Sequence, residues 1–437
     1  MNYIGIDIGT SSICGVVSDN RNQVLESITL ENNTTVNSLE PWEKIQDPQK
    51  ILSLAEEIIN TFCSKYNDIK GIGITGQMHG ILYVDPNGNL LSPLFTWQDG
   101  RANEVFSNNK TYSQYLSESS GYSLSAGYGL VTHFYNLQNK LVPAGASKIC
   151  TIMDYVVMKL TGSKSPNTDS TNAAGLGFFD LQNLKFDSDT LNDIGISADI
   201  LPEVVQSAQL TGSCKSIPVY SAIGDNQASF LGSVNDIPDS VHITVGTSGQ
   251  ISVYSDKYLK IDNIDTRPFP GGGYILVGAS LCGGRSFAIL KDFFADTLKL
   301  FAPDFSGKLD LYKIMTSVDL GKMAGDEPIV ETTFEGTRAL PLKRASITNI
   351  SGNNFTPEFL ITAFLKGIAR ELYDFYCMIP EELRNRKKIL VGSGNAIRMN
   401  ELLRMVMENQ FNQQLTISIH NEEAAYGATV AITGNIG

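Results

Sequence analysis

Two segments, far apart in the chain, are built on one plan. Tyr3 to Asp19 alternates apolar residues, rich in Ile and Val, and breaks at Gly9-Thr10-Ser11-Ser12. Val241 to Val253 places Val241, Ile243 and Val245 at period two, breaks at Gly246-Thr247-Ser248-Gly249, and resumes with Ile251 and Val253. Period-two apolar runs around a short Gly-containing break read as β-hairpins. Their shared Gly-Thr-Ser turn is a short echo. Its physical sense is two related domains, each presenting one glycine-rich hairpin to a shared cleft.

Strand and helix signals alternate around these hairpins. Asp47 and Pro48 read as an N-cap and first helical position, and Ile51, Leu54, Ala55, Ile58, Ile59 and Phe62 follow at helical spacing. Ile69 to Thr75 reads as a strand running into Gly76-Gln77-Met78-His79-Gly80, and Asp85-Pro86-Asn87-Gly88 as a turn. Thr356-Pro357 opens a helix, Lys388 to Val391 is a strand running into Gly392-Ser393-Gly394, and Glu401 to Gln410 is helical. Leu415 to Ile419 is a strand and Glu422 to Ile432 an Ala-rich helix. The alternation implies an α/β layer architecture. Apart from a helical piece at Asp154 to Leu160, the stretch from about Ala102 to Leu210 yields no clear periodicity. The segment Asn235 to Asp239, with Pro238, reads as a boundary, so the expected domains are 1–235 and 236–437.

The 437 residues are enough for two or three domains with full cores. With 46 acidic against 33 basic residues the net charge is −13, which disfavours nucleic acid as a partner and leaves a phosphorylated small molecule open. The six cysteines are widely separated and the four histidines form no H-E-x-x-H pair, so neither a zinc site nor a redox pair is expected. The N-terminus lacks the pattern of a signal peptide and no apolar run would span a bilayer; a cytoplasmic protein with reduced thiols and no membrane partner is the expectation. A homodimer is left open.

Four segments could carry chemistry. In Asp7-Ile8-Gly9-Thr10-Ser11-Ser12, backbone N–H groups and the Thr and Ser hydroxyls could meet phosphate oxygens, with Asp7 on Mg²⁺. A plain β-turn with a solvated Asp is the bland alternative, and the second Gly-Thr-Ser turn tips the balance toward phosphate. In Gly224-Asp225-Asn226-Gln227, Asp225 suits a general base and the two amides suit hydroxyl binding; taken alone, an Asx turn capping a helix is commoner. Gln77-Met78-His79 and Thr96-Trp97-Gln98-Asp99-Gly100-Arg101 mix an aromatic face with amides and charges, as a sugar site does. Against that, a lone His is usually structural and Asp99–Arg101 could be a surface pair worth little. Gly392-Ser393-Gly394 could bring backbone close to a nucleotide, although Ile397 stands where a G-x-G-x-x-G fingerprint needs its third glycine. No G-x-x-x-x-G-K-[ST] occurs, which removes the P-loop NTPases.

Taken in this order, and with Glu423-Ala424-Ala425-Tyr426-Gly427-Ala428 near the end, the segments resemble the FGGY family of carbohydrate kinases over nearly the whole chain. The resemblance implies two RNase H-like domains of the actin-like, sugar kinase and Hsp70 superfamily around a central cleft, with ATP and Mg²⁺ as cofactors. It implies Asp225 as catalytic base and Asp7 on the metal. Gly9, Thr10, Ser11, Ser12, Gly246, Thr247 and Ser248 would bind phosphates, and Gly392, Ser393, Gly394 and Asn400 the adenosine. Gln77, Met78, His79, Trp97, Asp99, Arg101, Asp154, Asn172, Asn226 and Gln227 would contact the sugar together with Asp225. Within the family the Trp97, Asp154 and Asn172 segments resemble ketose kinases, with sedoheptulose the expected substrate and xylulose the alternative. A non-catalytic actin-like ATPase or a sugar-binding regulator is the different-class alternative, and the intact Asp225 and polar sugar loop argue against both.

Overall fold

Both hairpins form. Strand β1 (Asn2–Ile8) pairs antiparallel with β2 (Ser12–Asp19), Asn2 facing Asp19 and Ile8 facing Ile13, and β3 (Val24–Glu31) adds antiparallel to β2. Helix α1 (Pro48–Lys65) begins where Asp47 accepts from the Gln49 and Lys50 amides with Pro48 in the first turn. It buries Ile51, Ala55, Ile58, Ile59 and Phe62, the spacing that the sequence predicts. Strand β4 (Ile69–Gly76) returns parallel to β1. Beyond it lie helices α2 (Ile152–Thr161) and α3 (Ser170–Leu176), strands β5 (Leu210–Cys214), β6 (Ile217–Tyr220) and β7 (Ile223–Gly224), and helix α4 (Asp225–Ser233). The sheet order is β5-β6-β4-β1-β2-β3, with β7 also paired to β4.

The second hairpin repeats the plan. Strand β8 (Ser240–Val245) pairs antiparallel with β9 (Gly249–Ser255), Val241 facing Val253. Strands β10 (Asp265–Pro268) and β11 (Tyr274–Ser280) follow, then helices α5 (Gly283–Phe301) and α6 (Pro357–Met378), strand β12 (Ile389–Ser393), helix α7 (Glu401–Phe411) and strand β13 (Leu415–Ile417). The sheet order is β10-β11-β9-β8-β12-β13, and β12 runs parallel to β8. In each sheet, then, the hairpin's first strand takes a parallel neighbour and its second an antiparallel one. The Gly-Thr-Ser echo is the visible trace of this common topology.

The structure is a computed structural model that describes residues 1–323, 325, 327–337, 340 and 342–434. They fall into two units, Met1–Gly232 with Arg267–Gly273 and the residues from Glu422 onward, and Ser233–Thr266 with Tyr274–Asn421. The division differs from the expected 1–235 and 236–437 in three segments, 233–235, 267–273 and the residues from Glu422 onward, the last of them the largest. The reason is packing by the C-terminal helix, Glu423–Thr433, which lies against β1 and β4 rather than on the second sheet. A methyl group added at Gly5 would stand 1.9 Å from the Ala425 carbonyl oxygen, and one at Gly73 2.3 Å from that of Ala428. The helix's Gly427 meets α4 as closely, its missing methyl falling 1.8 Å from the Ala228 carbonyl oxygen. Only hydrogen fits at these crossings.

The stretch that resisted sequence reading has its own core. Leu116, Leu130, Phe134, Ile149, Leu176 and Phe178 cluster there, buried, together with Ile81, Tyr83 and Phe95 from the segment before it.

Gly427→Ala tests this packing. A helical Gly→Ala change gains about 1 kcal/mol of propensity. Here the new methyl meets backbone that cannot yield, and overpacking of that kind costs about 1–3 kcal/mol. Chemical denaturation should show a net loss, whereas Gly352→Ala, which meets nothing within 4 Å, should be near neutral.

Candidate active site

Strand pairing gathers the candidates of the first unit. β1 sets Asp7 opposite Thr75 and Ile8 opposite Gly76, and β7 sets Ile223 opposite Thr75 and Gly224 opposite Gly76. Three neighbouring parallel strands therefore deliver Asp7, the Gln77-Met78-His79 loop and Asp225 to one sheet edge. Gln77 N–H donates to the Ile8 carbonyl at 2.8 Å, which ties the loop to β1. Met78 is buried against Gly224; a methyl there would stand 2.8 Å from its sulfur.

Electrostatics mark the same edge. Burial, then the charges of Asp225 and Glu422, push the Asp7 carboxyl up to about 7. Burial also raises Asp225, while Asn226 and Arg267 pull it back; Asn226 Nδ2 donates to Asp225 Oδ1 at 3.1 Å. Negative charge concentrated in this way is relieved by a divalent cation, so Asp7 fits a metal's first carboxylate. Among the described residues no group of three or more His, Cys, Asp or Glu could hold a metal.

The carbonyls of the first turn are held by neighbouring side chains. Asn32 Nδ2 donates to the Gly9 carbonyl and Gln46 Nε2 to that of Thr10, each at 2.8 Å. Ser11 is exposed and Ser12 half-buried. The Thr10 hydroxyl is not turned to a phosphate. It donates to Gln77 Oε1 at 3.3 Å and accepts from Trp97 Nε1 at 3.0 Å. Gln77 Nε2 in turn donates to Gln46 Oε1 at 2.9 Å. Gln77, expected to touch a sugar, is a buried tie between its own loop and the first turn. Trp97 stays 46% exposed while its ring nitrogen is pinned, which leaves an oriented aromatic face. His79 is half-buried with φ at 75°, its Nδ1 2.7 Å from the Gly175 carbonyl and its ring stacked on Tyr128 at 4.7 Å.

Other expected sugar contacts turn out to be interior. Asp99 and Arg101 are both buried, not a surface pair. Arg101 donates to Asp99 (2.6 and 3.1 Å), Asn136 (2.6 Å) and Glu43 (3.0 Å), and its guanidinium lies 4.1 Å from the Phe95 ring centroid. This clamp holds the loop bearing Trp97. Gln227 is fully buried and donates to the Pro268 carbonyl at 2.9 Å. Asn172 is fully buried and donates to the Ala222 carbonyl at 2.9 Å. Asp154 is buried in the first turn of α2. Met78, His79, Trp97, Asp225 and Asn226 remain near the edge.

In the second unit Thr247 and Ser248 are exposed at the tip of the hairpin. The first amides of α5 brace the turn, Gly284 donating to the Gly246 carbonyl at 2.9 Å and Arg285 to that of Thr247 at 3.1 Å. Gly394 has φ at 83° and a methyl there would lie 2.6 Å from the Val245 carbonyl oxygen, so glycine is required. Ser393 turns inward, 2.8 Å from His242 Nε2 and 2.9 Å from the Thr244 hydroxyl, and only its backbone is left for a ligand. Burial pushes His242 down to about 4. Asn400 caps α7 through the Leu403 amide at 3.0 Å and is buried, which gives its side chain a structural task.

Sequence reasoning missed Thr10's tie to Trp97, Gln46, Asn32, Glu422, Arg267 and Tyr128. Glu422 adjoins the quoted Glu423 motif; the others carry no local signal.

Asp154 yields a pH test. Burial, then Asp169, lifts its carboxyl from 3.8 to about 7. A raised acid favours the folded state below its unfolded value, and that contribution disappears as pH climbs toward 7. Asp154→Asn should therefore gain melting temperature relative to wild type between pH 5 and pH 8. A difference that stays flat across that range would rule out an ionisable buried Asp154.

Residues 2–232 match the N-terminal domain of the FGGY family of carbohydrate kinases. The chain is 26% identical to a sedoheptulokinase of Mus musculus, over 98% of this chain and 96% of that one. It is 26% identical to a xylulose kinase of Staphylococcus xylosus, over 98% and 89%. In fold it resembles the crystal structure of Plasmodium falciparum glycerol kinase with ADP, with a TM-score of 0.82 at 21% identity over 100% of this chain and 89% of that one. No helix among the described residues is long and apolar enough to cross a membrane. With a family match over more than half its length and the two-domain actin-like sugar kinase fold, the chain belongs to the FGGY family of carbohydrate kinases and is an ATP-dependent sugar kinase.

Proposed function

We propose that the chain phosphorylates the terminal hydroxyl of a ketose, with sedoheptulose converted to sedoheptulose 7-phosphate. The observation that carries the kinase chemistry is the convergence of Asp7 and Asp225 on one sheet edge through the β1–β4–β7 pairing. Asp225 orients the terminal hydroxyl and takes its proton as that oxygen bonds to the transferred phosphoryl group. Its raised pKa brings the base closer to neutrality, where proton acceptance is most effective. Asp7 would hold Mg²⁺, which neutralises phosphate charge when bound with ATP. Within the first unit the Gly9–Ser12 turn suits phosphate; within the second, taken by itself, the Gly246–Ser248 turn suits phosphate and the backbone at Gly392–Gly394 suits a nucleoside. Met78, His79, the Trp97 face and Asn226 suit the sugar, with Trp97 covering C–H groups.

The seven-carbon substrate is supported by the similarity to sedoheptulokinase along nearly the full length of both chains. Xylulose is the second reading, because the xylulose kinase of Staphylococcus xylosus is as similar in identity. The Asp99, Arg101 and Asn172 side chains are interior and do not bear on the choice. Mg²⁺ as the metal belongs to the same reading.

Asp225→Asn keeps shape and most hydrogen bonds. It should bind sugar normally by calorimetry while kcat falls by about 10²–10⁴-fold. Near-normal turnover would remove Asp225 from the role of base.

The sugar itself is tested by coupled ADP release with sedoheptulose and D-xylulose. A site built for the longer sugar leaves polar groups unpaired when the shorter one enters, at about 1–3 kcal/mol each. kcat/KM should therefore favour sedoheptulose by about one to four powers of ten. Equal values, or a preference for xylulose, would transfer the assignment to xylulose.

A further inference from the structure

Nothing in the catalytic reading uses α3, yet this seven-residue helix touches both halves of the site. Near its start it meets the strand that delivers Asp225. The Gly224 amide donates to Thr171 Oγ1 at 2.9 Å, and Asn172 Nδ2 donates to the Ala222 carbonyl at 2.9 Å. Near its end the Gly175 carbonyl lies 2.7 Å from His79 Nδ1. A methyl group at Gly175 would stand 3.2 Å from that nitrogen and 3.2 Å from Met78 Cε. The helix is itself fixed at its start, because Asp169 caps it by accepting from the Thr171 amide at 2.7 Å.

We infer that Thr171 is a positioning residue for Asp225. Its hydroxyl anchors the Gly224 amide and so sets the direction in which β7 delivers the carboxylate. The inference rests on the reading of Asp225 as base. Thr171 is singled out over Asn172 because it holds the amide of the residue immediately before Asp225, whereas Asn172 acts two residues earlier. Both side chains are fully buried, so water does not replace them. A buried amide that loses its acceptor turns toward another partner. Rotation of the Gly224 peptide displaces the carboxylate that follows it, and a displacement on the order of 1 Å at a reacting group costs roughly 10²-fold in rate.

Thr171→Val removes the hydroxyl and keeps the shape; Thr171→Ser keeps the hydroxyl. With Mg²⁺–ATP and the preferred ketose, Thr171→Val should lose about 10–10²-fold in kcat while KM for the sugar stays within about threefold. Thr171→Ser should recover most of kcat. A merely structural threonine would lower the melting temperature and leave kcat per folded molecule unchanged. Should the valine variant not fold, Thr171→Ala removes the same hydroxyl and carries the same expectation. Asp225→Asn is measured alongside. Normal kcat in Thr171→Val with an inactive Asp225→Asn overturns the role of Thr171 and leaves the base in place. Turnover retained in Asp225→Asn overturns both. A serine variant as slow as the valine variant also overturns the inference, since the hydroxyl would not be the agent.

Discussion

The parallel pairing of β4 with β1 on one side and β7 on the other is the constraint on which the first unit's chemistry depends. Asp7 and Asp225 lie far apart in sequence, and Gly76 to His79 belong to neither neighbourhood. Register makes them neighbours: Thr75 faces both Asp7 and Ile223, and Gly76 faces both Ile8 and Gly224. A one-residue slip in either pairing would reverse the side chains of a whole strand and dissolve the constellation. The same ladders tolerate an electrostatic cost. Burial raises both carboxylates, and the charge of Asp225 raises Asp7 further, a cost that a backbone free to yield would relieve.

That rigidity comes from behind the sheet. The C-terminal helix fills the space between β1, β4 and α4 through crossings where a glycine meets a backbone carbonyl. α4 begins at Asp225, so the last described helix braces the element that carries this carboxylate. The first unit is closed by residues from both ends of the chain, which is why a single cut at 235/236 does not describe it.

Elements with a strong period were legible: the two hairpins, α1 with its Asp47 cap, α6, β12, α7 and the C-terminal helix. The positions of Asp7 and Asp225 at strand ends, and the two turns, were legible because apolar runs and glycines mark them locally. Side-chain direction was not. Gln77, Asp99, Arg101, Asp154, Asn172, Gln227, Ser393 and Asn400 all have the hydrogen-bonding capacity that a ligand site needs. Composition cannot tell a group aimed at a ligand from one aimed at a neighbouring carbonyl. The stretch from 102 to 210 hid for another reason. Its core is assembled from elements too short to show a period, so the pattern exists only in three dimensions.

Those interior polar residues form one physical scheme. A sugar offers many similar hydroxyls, and discrimination among them needs donors and rings that do not move. Trp97 is exposed, yet its nitrogen is held by Thr10, and the loop beneath it by the Arg101 clamp. His79 is stacked on Tyr128 and tied to α3. The Gly9–Ser12 turn shares Thr10 with that same set, so a displacement of Trp97 or Gln77 is felt at the turn. These interior polar residues hold in place the few side chains that stay near the strand ends. The chemistry of a site on this fold is decided by both layers together.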